Sequence, residues 1–241
     1  MENLDTLIIA LVFASVYASA SRLYPLQIKF QGNWLSLAAG VSVAYVFLDI
    51  LPELSTHQER LLASAAGELI FAERRIYIAA LLGFVFFYGL EHMVLTSSAE
   101  PHAEHGARTA AFWLETAGFA LYSWLIGYLL VDIAAEGERS LSLYAAAMGL
   151  HLAVVGHALV GEHGRAYDRW VWWILSASVL IGWLVASSFP MPQAAISRLF
   201  AFVAGGVVMT SMQEELPGAD EGRFWWFLGG SGVYAIILLL I

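Results

Sequence analysis

The chain has 241 residues, of which 60% are apolar and only 13% charged, and its formal net charge is −9. Soluble domains are about half apolar and about a quarter charged, so this composition excludes an ordinary soluble domain, a disordered chain and a coiled coil. The chain has no cysteine, which excludes disulfides, thiolate zinc sites and iron–sulfur clusters. Its 11 Lys and Arg residues are too few for clustered phosphate contacts, so we expect the lipid bilayer and no nucleic acid as a partner.

Eight apolar segments are long enough to cross a membrane, because a bilayer core of roughly 30 Å needs about 20 residues of helix. In chain order, segments 1 to 8 are Leu4–Ala20, Trp34–Leu51, Ile76–Leu95, Ala111–Val131, Leu143–Val160, Trp170–Ser187, Ala195–Met212 and Phe224–Leu240. We therefore predict an all-α polytopic membrane protein with eight transmembrane helices, in which residues 1–241 form one domain. The connection between segments 3 and 4, at about 96–110, contains histidines.

Several acids lie where the apolar segments end. Asp49 and Glu53 close segment 2, Glu91 lies near the end of segment 3, and Glu214 closes segment 7. Ionisable groups at membrane depth are costly and usually face the bundle interior, a cavity or a partner. These acids could instead lie at helix ends that have already reached the headgroup layer, where they are solvated. The sequence leaves both interpretations open.

Segments 4 and 5 carry polar residues closer to their centres. Glu115 precedes Tyr122 by seven residues, or two helical turns, so both lie on one face of segment 4. The Glu115 side chain either faces the interior of the helix bundle or extends to the membrane–water interface. His151 lies near the middle of segment 5 and is either a ligand or a histidine hydrogen-bonded to the backbone. His157, nearer the end of segment 5, is interpreted as structural.

Two pairs of segments have similar sequences. Segments 2 and 7 each place an acid three residues before a proline, after a run of Ala, Gly and Val. Segments 4 and 5 each place a polar ring five residues before a glycine, at Tyr122 and Gly127 and at His151 and Gly156. Segments 1–3 and 6–8 are therefore predicted to be related repeats that flank segments 4 and 5, an architecture that recurs in transporters.

With these motifs the chain resembles the ZIP family of divalent metal transporters. That family has eight helices, inverted three-helix repeats (1–3 and 6–8) around helices 4 and 5, and acid-Leu-Leu-Pro-Glu endings on helices 2 and 7. It also has a histidine-rich loop after helix 3, to which His102, Glu104 and His105 are similar. These loop residues either bind a cation weakly or form a solvated connector. The resemblance further implies a homodimer, and we expect a multi-pass protein of a bacterial inner (plasma) membrane.

The chain departs from the family at the transport site, which the family builds from His-Asn-x-x-Asp-Gly on helix 4 and His-x-x-Pro-Glu-Gly on helix 5. The matching positions include Tyr122, Ser123 and Ile126, followed by His151 and Val155. A phenol, with a usual pKa of about 10, is a poor ligand, and only His151 remains of four principal ligands. A dication there would lack ligands and counter-charge, so we expect no tightly bound metal and a Tyr122 hydroxyl that hydrogen-bonds to His151 or to a water. Glu115 and His157 are the nearest substitutes for the missing ligands.

Two functions remain after this comparison. The first is transport or binding of a divalent metal (zinc, iron or manganese), bound weakly at an altered site. The alternative is a ZIP-fold protein that transports nothing and serves as a structural or regulatory membrane subunit. An intramembrane enzyme or haem protein is the weakest interpretation, because the chain lacks Gly-x-Ser-x-Gly and His-Glu-x-x-His motifs. We therefore predict that it is not an enzyme.

Overall fold

A computed structural model describes residues 2–29, 31–64, 74–99, 105–135, 137–212 and 224–240. The regular structure in these ranges is entirely helical, which confirms the all-α prediction. The helices are α1 (Glu2–Lys29), α2 (Gln31–Tyr45), α3 (Leu51–Ser64), α4 (Arg75–Ala99), α5 (His105–Ala135), α6 (Glu138–His163), α7 (Trp172–Ser188), α8 (Gln193–Thr210) and α9 (Phe224–Leu240). Short π-helical turns, Val46–Ile50 and Tyr167–Val171, lead directly into α3 and α7.

Within the ranges that the structure describes, seven helical stretches are long and apolar enough to span a membrane. They are Leu4–Tyr24, Ser36–Glu59, Arg75–Val94, Thr109–Ala135, Ser140–His163, Tyr167–Ser188 and Gln193–Thr210. The last predicted segment is present as α9, an apolar helix of 17 residues that is slightly shorter than these spans. Large apolar side chains such as Leu82 and Trp173 are exposed on the outer surface, as expected where lipid surrounds the protein. The chain is therefore a polytopic helical membrane protein.

The predicted end of segment 2 at Leu51 is wrong. The helix continues through Pro52 to Ser64. Proline cannot donate a backbone hydrogen bond, and its ring crowds the carbonyl four residues earlier. The π-helical turn Val46–Ile50, which is wider than an α-helical turn, accommodates Pro52. Asp49 and Glu53 therefore lie inside a continuous helix and not at its end, and both fall within the span Ser36–Glu59.

The predicted loop at about 96–110 is also too long, because α4 extends to Ala99 and α5 begins at His105. Hydropathy marks where a segment stops being apolar, but a helix can continue through polar residues. The Thr96 hydroxyl, for example, donates to the backbone carbonyls of His92 and Met93 within α4. His102, Glu104 and the segment 7 acids Glu214 and Glu215 lie outside the described residues, and of His105 only the backbone is described.

The helices pack as three close pairs, in which α5 lies on α7, α4 on α8 and α2 on α9, while α1 lies against α6 and α7. In each pair, both helices contribute a glycine to the contact, and small residues are what allow membrane helices to approach closely. A Cβ atom on any of these six glycines would overlap a carbonyl oxygen of the facing helix: Gly40 and Gly230, Gly83 and Gly205, Gly127 and Gly182. The spanning stretches of α2–α3, α5, α6 and α8 bury more than half of their residues, so α5 and α6 share the centre with α2 and α8.

Candidate functional site

Three contacts show that α5 and α6 lie antiparallel along the centre of the bundle. Near the turn that joins them, the Tyr144 hydroxyl donates to the carbonyl of Ile126. Further along, Tyr122 contacts His151, and at the far end Glu115 contacts His163. The contacts thus divide the α5–α6 pair into a turn end, a middle and a far end.

In the middle, the Tyr122 hydroxyl lies 2.8 Å from His151 Nε2, and both side chains are fully buried. Of the two partners predicted for the Tyr122 hydroxyl, His151 or a water, the structure shows His151. The Thr210 hydroxyl of α8 is also near the imidazole, at 3.5 Å from Nε2, and donates to the carbonyl of Gly206. We call this group the central contact.

The other positions that match the family's transport site add no ligand. Ser123 is turned towards α1, where its hydroxyl lies 3.0 Å from the Tyr17 hydroxyl while it donates to the carbonyl of Phe119. Ile126 and Val155 are buried in the apolar core. Among the residues that the structure describes, the centre of the α5–α6 pair therefore presents one imidazole and no carboxylate.

At the far end, Glu115 meets two residues that the sequence analysis missed. Its Oε2 lies 2.8 Å from His163 Nε2, and one carboxylate oxygen of Glu162 completes a group in which all three ligand atoms lie within 4.8 Å of one another. We call Glu115, Glu162 and His163 the Glu115 cluster. His157, which the sequence analysis named with Glu115 as a substitute for the missing central ligands, is half-buried with its ring against Tyr24 of α1, the two centroids 4.7 Å apart.

A small cavity of about 20 Å³ is lined by one residue of the Glu115 cluster and one residue of the central contact. It is lined by Glu115, by Glu91 of α4 and by Thr210, among others. This volume holds about one water molecule. Because Thr210 also approaches His151, polar groups follow one another from the far end to the middle of the α5–α6 pair.

The turn end opens into a cavity of about 210 Å³, which we call the acidic cavity. Its acidic and histidine lining residues are Asp49, Glu53, His57 and Asp132. Asp49 accepts a hydrogen bond of 2.8 Å from the Tyr234 hydroxyl, and His57 Nδ1 lies 2.9 Å from the Ser197 hydroxyl. The described lining contains three carboxylates and no Lys or Arg, and a low-dielectric cavity lined by one sign of charge concentrates ions of the opposite sign.

No family model matches the chain. Among curated proteins, the chain is similar to the zinc transporter ZIP13 of Mus musculus, with 24% identity over an alignment 298 positions long, gaps included, that covers 99% of this chain and 81% of the mouse protein. The similarity extends along nearly the whole chain and agrees with a ZIP-like membrane protein. It also agrees with the prediction that the chain is not an enzyme, because the similar protein is named as a transporter.

Proposed function

We propose that this protein is a ZIP-like carrier that moves divalent cations along α5 and α6. The observation that carries the proposal is the acidic cavity, which gathers Asp49, Glu53 and Asp132 at the turn end of the two central helices. A substrate cation would meet three carboxylates there, and oxygen and imidazole donors suit zinc, iron and manganese. The similarity to a zinc transporter supports the same substrate class.

The inverted repeats and the eighth span are part of this proposal. If α2 corresponds to α8 and α9 to α4, the α2–α9 contact corresponds to the α8–α4 contact. The paired glycines support this relation, because Gly40 and Gly230 make the same reciprocal approach as Gly205 and Gly83. The 17 residues of α9 extend about 25 Å, and its pairing with α2 favours a membrane-spanning position.

The central contact is proposed to close the path and not to hold the cation. A dication beside His151 would lose most of its hydration without a carboxylate to balance its charge, which costs several kcal/mol. Tyr122 and His151 must therefore part for a cation to pass, and no tightly bound metal rests between them. The bacterial inner membrane stays a prediction, since the similar protein is from mouse. The homodimer also stays a prediction.

Metal uptake into proteoliposomes tests the proposal. The purified full chain, reconstituted around a zinc-sensitive dye, should admit Zn²⁺ faster than protein-free vesicles do. Asp132→Asn, which removes one carboxylate from the acidic cavity, should lower uptake about tenfold, equivalent to about 1.4 kcal/mol. Asp168→Asn is the matched control, because Asp168 is exposed and does not line the cavity. Uptake equal to that of protein-free vesicles would overturn the proposal and favour the non-transporting alternative.

A further inference from the structure

We propose that the Glu115 cluster is a binding site for a divalent transition-metal ion, with Glu115, Glu162 and His163 as its protein ligands. None of these residues occupies a position of the family's transport motifs, which match Tyr122 to Gly127 and His151 to Gly156 in this chain. The inference goes beyond the proposed function, because it concerns equilibrium binding and holds whether or not the ion crosses the membrane.

The donor set determines the class of ion. One imidazole nitrogen and two carboxylate oxygens are typical ligands of zinc and of neighbouring first-row metals, whereas calcium and magnesium prefer oxygen ligands alone. Two ionised carboxylates and a neutral imidazole carry a charge of −2, which balances a dication. Three protein ligands also leave a fourth position open, as in sites where zinc keeps an exchangeable water.

The buried atoms of the cluster give an independent reason for an ion. Glu115 is only 4% exposed, and among the described residues neither its Oε2 nor His163 Nε2 has a hydrogen-bond partner. The two atoms are 2.8 Å apart, yet their orientation does not satisfy hydrogen-bond geometry. A buried carboxylate oxygen that makes no hydrogen bond is costly, and a metal ion would satisfy both atoms at once.

The surroundings of the cluster allow the three ligands to close around an ion. Two ligands of a tetrahedral zinc, each at about 2.0–2.1 Å from the metal, are about 3.3 Å apart, so Glu115 and His163 need to separate by only about 0.5 Å. The Phe112 ring lies perpendicular to the His163 imidazole, with centroids 4.9 Å apart, and this contact limits the rotation of the imidazole. Glu162 lies on the exposed side of α6, where its side chain has room to move towards the ion.

Cobalt titration of the full chain in detergent tests the site, because Co²⁺ in a nitrogen–oxygen site of low coordination number absorbs visible light more strongly than hexaaquo Co²⁺. We expect saturable binding of one Co²⁺ at the cluster that is displaced by Zn²⁺. Glu115→Gln and His163→Ala should each weaken binding at least about tenfold. Glu162→Gln should weaken binding as well, and because Glu162 is exposed this variant keeps the test valid if the buried substitutions disturb folding.

Matched controls separate the cluster from other acids and histidines. Glu138→Gln changes an exposed acid at the other end of α6, and His92→Ala removes an exposed histidine stacked on Tyr88, so both should bind Co²⁺ as the unmodified chain does. Absence of saturable binding would overturn the inference and leave Glu115 and His163 as an ion pair. Unchanged affinity in Glu162→Gln, with Glu115→Gln folded and also unchanged, would overturn it equally. Binding without uptake into proteoliposomes would contradict only the proposed transport.

Discussion

Replacing Gly230 with alanine should separate α9 from α2. A Cβ atom at this position would overlap the backbone carbonyl oxygen of Leu37 and lie 3.0 Å from its carbonyl carbon. Carbon and oxygen atoms are at their best separation near 3.5 Å, and backbone cannot rotate aside as a side chain can, so the two helices must move apart by roughly 1 Å. Overpacking of this kind costs about 1–3 kcal/mol.

The adjacent Gly229 is a control within the same helix, because a Cβ atom there would meet nothing within 4 Å. Both variants gain the higher helix propensity of alanine, about 1 kcal/mol, so the difference between them isolates the cost of the contact. SDS titration of the protein in mixed micelles, followed by circular dichroism, measures that difference. We expect Gly230→Ala to be less stable than Gly229→Ala by about 1–3 kcal/mol.

The same comparison in α4 tests the proposed repeat. Gly83 approaches the carbonyl of Phe202 in the way that Gly230 approaches Leu37, whereas Gly89 of the same helix is open. Gly83→Ala and Gly89→Ala should therefore differ by a similar amount. Equal SDS midpoints for the two variants of either helix would refute the close approach of the backbones.

Three further predictions follow from side-chain contacts and from the resemblance. Tyr122→Phe should lower stability in the same SDS titration by about 1–3 kcal/mol, because it removes the 2.8 Å hydrogen bond between the buried Tyr122 hydroxyl and His151 Nε2; an unchanged midpoint would show that the bond contributes nothing. His157→Ala should leave cobalt affinity unchanged, since His157 packs against Tyr24 and not in the Glu115 cluster, and a tenfold loss would contradict this placement. Light scattering in mild detergent should give the mass of two chains, and a monomer would count against the homodimer.

Hydropathy was sufficient to predict most of the helices. The eight predicted segments all correspond to helices, and segment 8 has the same bounds as α9. The ends were harder to predict, because a helix stops where its hydrogen bonding stops and not where its composition changes. Pro52 is a normal helix terminator, and only the π-helical turn before it explains why the helix continues.

The contact between Tyr122 and His151 could be predicted from the aligned motifs, but the Glu115 cluster could not be predicted from distance along the chain. His157 is nearest to the level of Glu115, yet six residues of helix turn its side chain about 240° away from the face of His151. Glu162, eleven residues after His151, returns to within about 20° of that face. The sequence does contain a signal for the cluster, because Glu115 lies seven residues before Tyr122 in α5 and Glu162 lies eleven residues after His151 in α6. The tilt that brings these two helix ends together depends on the whole bundle.

We propose that the cation ligands of this chain lie at the ends of the α5–α6 pair and not at its centre. The most direct test is anomalous diffraction from crystals of the full chain grown with Zn²⁺ or Cd²⁺. We expect an anomalous peak between Glu115 and His163, and no peak at the central contact. A fully occupied ion within about 2.0–2.3 Å of His151, with two further protein ligands, would contradict it.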